Sequence, residues 1–158
     1  MSKVQPIPED RRGVIAQLTI DGAKKAIEFY KKAFDAEASE CMDGPAGKVG
    51  HAELKIGAGV IMINDAFPEW NCLPTKNARM FFYVADVDAA VQKAVKAGCK
   101  LERPVEDQFW GDRMGNVVDP FGVGWGIATH KEDLTSEQVK ARGKEWMEKM
   151  SKQPAGAK

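Results

Sequence analysis

No apolar run in the 158-residue chain approaches the roughly 18 residues that a membrane-spanning helix needs. The first residues, MSKVQPIPEDRRG, contain no apolar signal core, so neither a membrane nor an export machinery is expected as a partner. Charge of one sign is lacking too. Lys plus Arg is 23 and Asp plus Glu is 23, so nothing in the net charge favours a nucleic acid or an anionic lipid surface. Cysteine is scarce: Cys41, Cys72 and Cys99 form an odd, widely spaced set without a CxxC, which argues against a disulfide framework or a zinc cluster. Buried thiols in a reducing cytoplasm are the expectation. What is present is ordinary for a globular protein, 44% hydrophobic and 29% charged. The length suits a single domain over 1–158 with a core of its own.

The pattern along the chain is a repeat. VIAQLTI (14–20) is rich in β-branched residues and reads as a strand. In the next segment Ala23, Ala26, Ile27, Tyr30, Ala33 and Phe34 fall at helical spacing, with Asp21 as the expected N-cap. ASECMD (38–43) is a second strand and DGPAGK a turn. VGHAELKI (49–56) alternates, and VIMIN (60–64) follows the GAG turn. From Ala78 the order recurs. ARMFFYV (78–84) is a strand. A helix capped by Asp86 carries Val87, Ala90, Val91, Ala94 and Val95 on one face and stops at Gly98. CKLERPVE (99–106) is an edge strand because of Pro104, and MGNVV and WGIAT complete the set. Strand–helix–strand–strand–strand thus occurs twice, in 14–64 and 78–130, which outweighs any single motif. The segment 65–77 reads as a connecting loop. A C-terminal helix over 134–150 starts at a Thr135/Gln138 capping box, and its Val139, Arg142, Trp146 and Met150 share one side for docking on the domain or on a second subunit. The tail 151–158 reads as disordered.

The stretch WGDRMGNVVDPFGVGWGIATH (110–130) concentrates five glycines and two tryptophans. Gly111 and Gly115 allow a sharp turn into the strand that follows. Asp119, Pro120 and Gly122 build the turn, with Asp119 capping backbone amides. Arg113 and Asp119 can pair across the hairpin. Trp125 alternates with Gly124 and Gly126 and reads as packing under the helix. Trp110 is either a pocket-rim contact or plain packing, and His130 is expected to be exposed.

The pieces AIEFYKKAFDAE, HAELKIGAGVIMIND, FFYVADVDAAVQKAVKAG and WGDRMGNVVDPFGVGWGIATH together resemble the vicinal oxygen chelate superfamily of glyoxalases, bleomycin-resistance proteins and dioxygenases. The likeness is greatest to its small stand-alone PhnB-like members. The resemblance implies an α+β fold in which two tandem βαβββ units form a curved, cup-shaped mixed sheet, usually in a homodimer. It also implies a metal held by four side chains, two per unit, from the first and last strand of each. Those places here hold Gln17, Met62 or Asn64, Arg79 and Gly126. A guanidinium has no lone pair to offer a metal, and a glycine has no side chain. The metal set is therefore expected to be absent, and no other cofactor is expected.

Two groups of residues remain for chemistry. His51 and Glu53 share one face of their strand and can form an acid–base pair, or can simply be solvated. Arg79, Phe81 and Tyr83 point away from the helix-facing set Met80, Phe82 and Val84. With Gln17, Met62, Asn64, Trp110 and Arg113 they suggest a metal-poor cup for a small aromatic or anionic molecule. Sequestration of such a ligand is the leading expectation. A metal-dependent lyase, isomerase or dioxygenase is the alternative, and a role through the dimer surface alone is a third. The identity of the ligand is not readable from these residues.

Overall fold

The computed structural model describes residues 13–152. The chain divides into two compact units, residues 1–76 and 77–158, and each builds one four-stranded sheet. In the first unit β1 (Ala16–Thr19) leads to α1 (Ala23–Phe34), then β2 (Glu37–Asp43), β3 (Val49–Ile56) and β4 (Gly59–Asn64). In the second, β5 (Arg79–Tyr83) leads to α2 (Val87–Ala97), then β6 (Lys100–Asp107), β7 (Asp112–Val118) and β8 (Gly124–His130). The strand orders, β1-β4-β3-β2 and β5-β8-β7-β6, correspond one to one. In each sheet the first strand pairs parallel with the last, and the remaining pairs are antiparallel. The expected α+β architecture of tandem βαβββ units is observed, with α3 (Ser136–Ser151) as the C-terminal helix. Residues 153–158 of the expected tail lie outside the described residues. Among the described residues no helix is long and apolar enough to cross a membrane.

Helix α1 buries the stripe that its spacing implies, from Ala23 through Tyr30 to Phe34. Its first turn departs from expectation. Asp21 does not cap it: the N-cap is Gly22, at φ 84°, a backbone region glycine adopts without penalty. The orphan amides go to Asp65, just beyond β4. Its Oδ1 accepts from Gly22 N at 2.9 Å and Ala23 N at 3.0 Å, and its Oδ2 accepts from Val49 N at 2.7 Å. One buried carboxylate therefore caps α1 and fixes the start of β3. Helix α2 follows the local rule, its Asp86 carboxylate accepting from Ala89 N at 3.0 Å and Gly98 closing the far end. Val87, Val91 and Ala94 are buried, but Val95 is exposed. Eight residues on from Val87 the stripe has rotated by about 80°, enough to carry Val95 off the core face.

The connecting segment is more than a loop. Phe67 is buried, bridges to Cys72 and stacks on Trp70 at 5.0 Å between centroids. Thr75 exchanges two bonds with β1: its amide donates to Thr19 O at 2.8 Å and its hydroxyl accepts from Thr19 N at 2.9 Å. The free edge of β1 is thereby satisfied at Thr19. The thiols are also not uniformly buried. Cys41, on the edge strand β2, is exposed and Cys72, in the connecting segment, is half-buried, whereas burial pushes the Cys99 thiol up to about 12.

In the β7–β8 hairpin Asp119 does what its turn position implies. Its Oδ1 accepts from Phe121 N at 2.8 Å and Val123 N at 2.9 Å, while its Oδ2 accepts from the buried Trp125 indole N–H at 2.9 Å. Its oxygens are thus engaged on this turn, and Arg113 pairs elsewhere: with Asp88 at 2.8 Å and Asp107 at 3.2 Å. Gly111, at φ 97°, makes the sharp turn. Gly115 serves close approach instead, since a Cβ there would lie 2.9 Å from Val105 Cγ2 on β6. β6 is an edge strand, as Pro104 requires. Helix α3 begins at the Thr135/Gln138 capping box. It docks within its own unit: a Cβ on buried Gly143 would stand 3.1 Å from the Phe109 ring, which also meets Trp146 at 5.6 Å between centroids.

Opposite ends of β7 and β8 are joined through Asp112, whose Cα partner is His130. The buried Asp112 carboxylate accepts from Tyr83 Oη at 2.8 Å and Trp110 Nε1 at 2.9 Å, and pairs with His130 Nδ1 at 2.8 Å. Burial pushes the Asp112 carboxyl up, but the bonds from His130, Tyr83 and Trp110 outweigh it and hold it below its ordinary value. His130 is exposed as expected, yet its other nitrogen lies 3.0 Å from Asp133.

Two outcomes are expected. Asp119→Ala strands two backbone amides and an indole N–H, and should lower unfolding stability in urea by about 3 kcal/mol or more. A loss under about 1 kcal/mol would mean that water replaces the carboxylate. The His130 imidazolium is held by Asp112 first and Asp133 second, so its titration point lies above the ordinary 6.5. The stability it contributes is fully present below that ordinary value and is lost as pH rises through the raised one. An NMR titration of the ring should show the raised midpoint, and Asp133→Asn should move it down.

Candidate functional site

Pairing register decides which side chains share a face. In the second sheet Arg79 lies opposite Gly124, Phe81 opposite Gly126 and Tyr83 opposite Ala128. Across β8, Asn116 is the partner of Gly126 and Met114 that of Ala128. The opposite face carries Phe82, Trp125 and Ile127, and Trp125 and Ile127 are fully buried. The exposed face therefore presents Arg79, Phe81, Tyr83, Met114 and Asn116 over a floor of glycine and alanine. That floor sets where the side chains above it lie. A Cβ on Gly126 would stand 2.6 Å from Phe81 Cδ2, and one on Gly124 would stand 3.1 Å from Arg79 Cζ. Phe81 and Tyr83 are 51% and 57% exposed, large fractions for rings within a strand, and they meet edge to face at 5.3 Å.

Arg79 is not a free cation. Its Nη1 and Nη2 donate to the two oxygens of Glu102 at 2.7 and 3.1 Å, a bidentate pair. Arg79 in turn holds the Glu102 carboxyl below its ordinary value. Arg79, Glu102, Arg103 and Asn116 line an open cavity of about 480 Å³. Trp110 is tied to Asp112 and meets Phe109 edge to face at 4.9 Å, so it belongs to the α3 docking stack. Arg113 is on the other face, committed to Asp88 and Asp107.

In the first sheet Gln17 is the register partner of Met62, and Met62 that of Glu53. Gln17 Nε2 donates to Asn64 Oδ1 at 3.1 Å, and Asn64 Nδ2 donates to Asp65 O at 2.8 Å and to Cys72 Sγ at 3.2 Å. The Thr19 hydroxyl lies 3.7 Å from the same sulfur. The Thr19 hydroxyl and the Asn64 amide hold the Cys72 thiol below its ordinary value. His51 Nε2 stands 3.8 Å from Glu53 Oε1, with His51 part-exposed and Glu53 buried. This pair is close enough for a water or a small rearrangement to connect, which keeps an acid–base role open.

The four places where related folds hold a metal do not fit one here. Gln17 and Asn64 are bonded to each other. The Met62 thioether is a soft ligand suited to other ions. Arg79 is a cation bound to Glu102, and the place of Gly126 is covered by the Phe81 ring. Among the described residues no group of three or more His, Cys, Asp or Glu side chains comes together as a metal site. Sequence reasoning missed Glu102, Asn116, Asp112 and Cys72. Of these, Asn116 carried a signal: it is the one amide in the alternating run of β7, between Met114 and Val118 on the same face.

Comparisons with known proteins agree with the fold. A family model described as Glyoxalase/Bleomycin resistance protein/Dioxygenase superfamily matches residues 14–127. Uncharacterized protein Mb0911c of Mycobacterium bovis is 38% identical over 132 residues, spanning 78% of this chain and 87% of that one. The crystal structure of TioX from Micromonospora sp. ML1 superposes with a TM-score of 0.60 at 22% identity, covering 78% of this chain and 99% of that one. The PhnB protein from Bacillus cereus superposes with a TM-score of 0.56 at 17% identity, covering 75% and 99%. At those identities the two structures speak for the fold alone, and the family match carries the assignment. The chain belongs to the glyoxalase/bleomycin resistance protein/dioxygenase superfamily.

Proposed function

We propose that this protein is a ligand-binding member of its superfamily that holds a small aromatic or anionic molecule on the exposed face of the second sheet and works without the metal of its catalytic relatives. The observation that carries this reading is the pair of half-exposed rings, Phe81 and Tyr83, beside Arg79 over a glycine floor. Exposed rings on a strand are an apolar surface without a partner, and they gain from covering by an aromatic ligand. The unsuitable donor set at Gln17, Arg79 and Gly126 supports the metal-free part. The alternative, an enzyme of the superfamily, draws on one observation, the His51–Glu53 pair at 3.8 Å. It would use that pair for proton transfer.

Trp146, Met147 and Met150 stay exposed on α3, which supports a homodimer, and the three free thiols suit a reducing cytoplasm.

Three measurements test these readings. Calorimetric titration of chelator-treated protein with nickel, zinc, manganese and ferrous ions should give no saturable binding in the micromolar range. Binding that Gln17→Ala or His51→Ala removes would overturn the metal-free reading. Gly126→Ala should push the Phe81 ring aside and weaken an aromatic ligand roughly tenfold, with little change in stability, because the displaced ring already faces solvent. Unchanged affinity would move the ligand away from this face. Sedimentation should find a dimer that Met147→Glu dissociates, and a monomeric wild type would remove the dimer from the proposal.

A further inference from the structure

Strand β6 is irregular where it borders the open face. Leu101 is the partner of Val117 and Arg103 that of Asn116, so Glu102 falls in a register shift and has no partner of its own. Such a bulge breaks the alternation of side chains and re-aims one of them. Glu102 and Arg103 consequently line one and the same cavity, of about 480 Å³, together with Arg79 and Asn116. Regular alternation would send two consecutive side chains to opposite faces. The volume is in the range of small-molecule sites.

The two cations of this cavity are in different states. Arg79 Nη1 and Nη2 both donate to Glu102, at 2.7 and 3.1 Å, and the Asn116 amide serves the same carboxylate. Arg103 acts on Glu102 through space only. Among the described residues the Arg103 guanidinium has no hydrogen-bond partner. The lining as a whole thus has one positive charge in excess, and that charge sits on Arg103. A guanidinium presents a planar fork of N–H donors that matches a carboxylate in two parallel bonds. The Arg79–Glu102 pair already shows that match inside the same cavity.

We propose, building on the ligand-binding reading above, that Arg103 anchors the carboxylate of a monoanionic ligand in this cavity and that Glu102 excludes dianions from it. The inference rests on the anionic side of that reading and asks nothing of the Phe81 ring. A monoanion brings the lining to neutrality. A second negative charge would meet Glu102 across the cavity with no cation left to balance it. The bulge of β6 is then what sets the charge the site admits, because it holds the anchor and the excluding carboxylate side by side.

Three matched four-carbon probes test this by NMR titration of the full chain near neutral pH and at low salt: butyrate, butyramide and succinate. They share the chain length and carry one, no and two negative charges. Butyrate should bind saturably, about tenfold more tightly than butyramide, and more tightly than succinate. Arg103 is exposed on an edge strand, so Arg103→Gln should keep the fold and lose the preference for butyrate. Arg103→Lys keeps the charge without the fork and should retain only part of it. Glu102→Gln should let succinate overtake butyrate. Butyrate binding no better than butyramide, or a preference that survives Arg103→Gln, overturns the anchor. Succinate binding tightest to the wild type overturns the exclusion by Glu102. A parallel titration with 2-naphthol separates the two levels of the argument. Binding of naphthol without binding of butyrate overturns the inference and leaves the ligand-binding reading standing, and no binding by any of the four overturns both.

Discussion

Strand β8 carries two demands of opposite kind, and the second unit depends on its meeting both. It lies between β5 and β7, so all its backbone is paired. Its inward positions, Trp125 and Ile127, must be large enough to fill the core under α2. Its outward positions, Gly124 and Gly126, must be small enough for Arg79 and Phe81 to lie across them. Large and small residues alternate with the period of the strand itself. A one-residue slip in register would put tryptophan on the exposed face and glycine where the core is. The asymmetry that leaves one face open is thus the same asymmetry that fixes the fold.

Buried carboxylates do the comparable work at the turns. Asp65 ties the start of α1 to β3, Asp119 closes the β7–β8 turn around the Trp125 indole, and Asp112 gathers Tyr83, Trp110 and His130. Each spends its oxygens on several donors, which is how a buried charge is made tolerable. The two units have diverged on this common frame. In the first, the amides and thiol satisfy one another, from Gln17 through Asn64 to Cys72. In the second, the corresponding face is left open, with rings half-exposed and one amide oxygen unpaired.

Period and punctuation made most of the fold legible. The α1 stripe, the Asp86 and Thr135 caps, the edge position of Pro104 and the Asp119 turn each follow from residues close together in sequence. What escaped was non-local. Asp65 caps a helix from 42 residues away, and the local candidate Asp21 lost to it. Arg113 offered a short-range partner in Asp119, but Asp88 on α2 and Asp107 on β6 claim it. The site divided in the same way. Alternation on β5 placed Arg79, Phe81 and Tyr83 correctly on one face. That Arg79 is neutralised depends on Glu102, whose approach follows from the irregular register of β6. Irregular pairing is the feature that a period-two reading cannot supply.

The stack of Trp146 and Gly143 on Phe109, with Trp110 beside it, lies outside the duplicated pattern altogether. A chain stopped after β8 would keep both βαβββ copies and every strand pairing. It would nonetheless strip the cover from Phe109, and through Trp110 loosen Asp112 and the Tyr83 hydroxyl. The duplicated core thus supplies the exposed face of Phe81 and Tyr83, while an appended helix governs how firmly one corner of it is held.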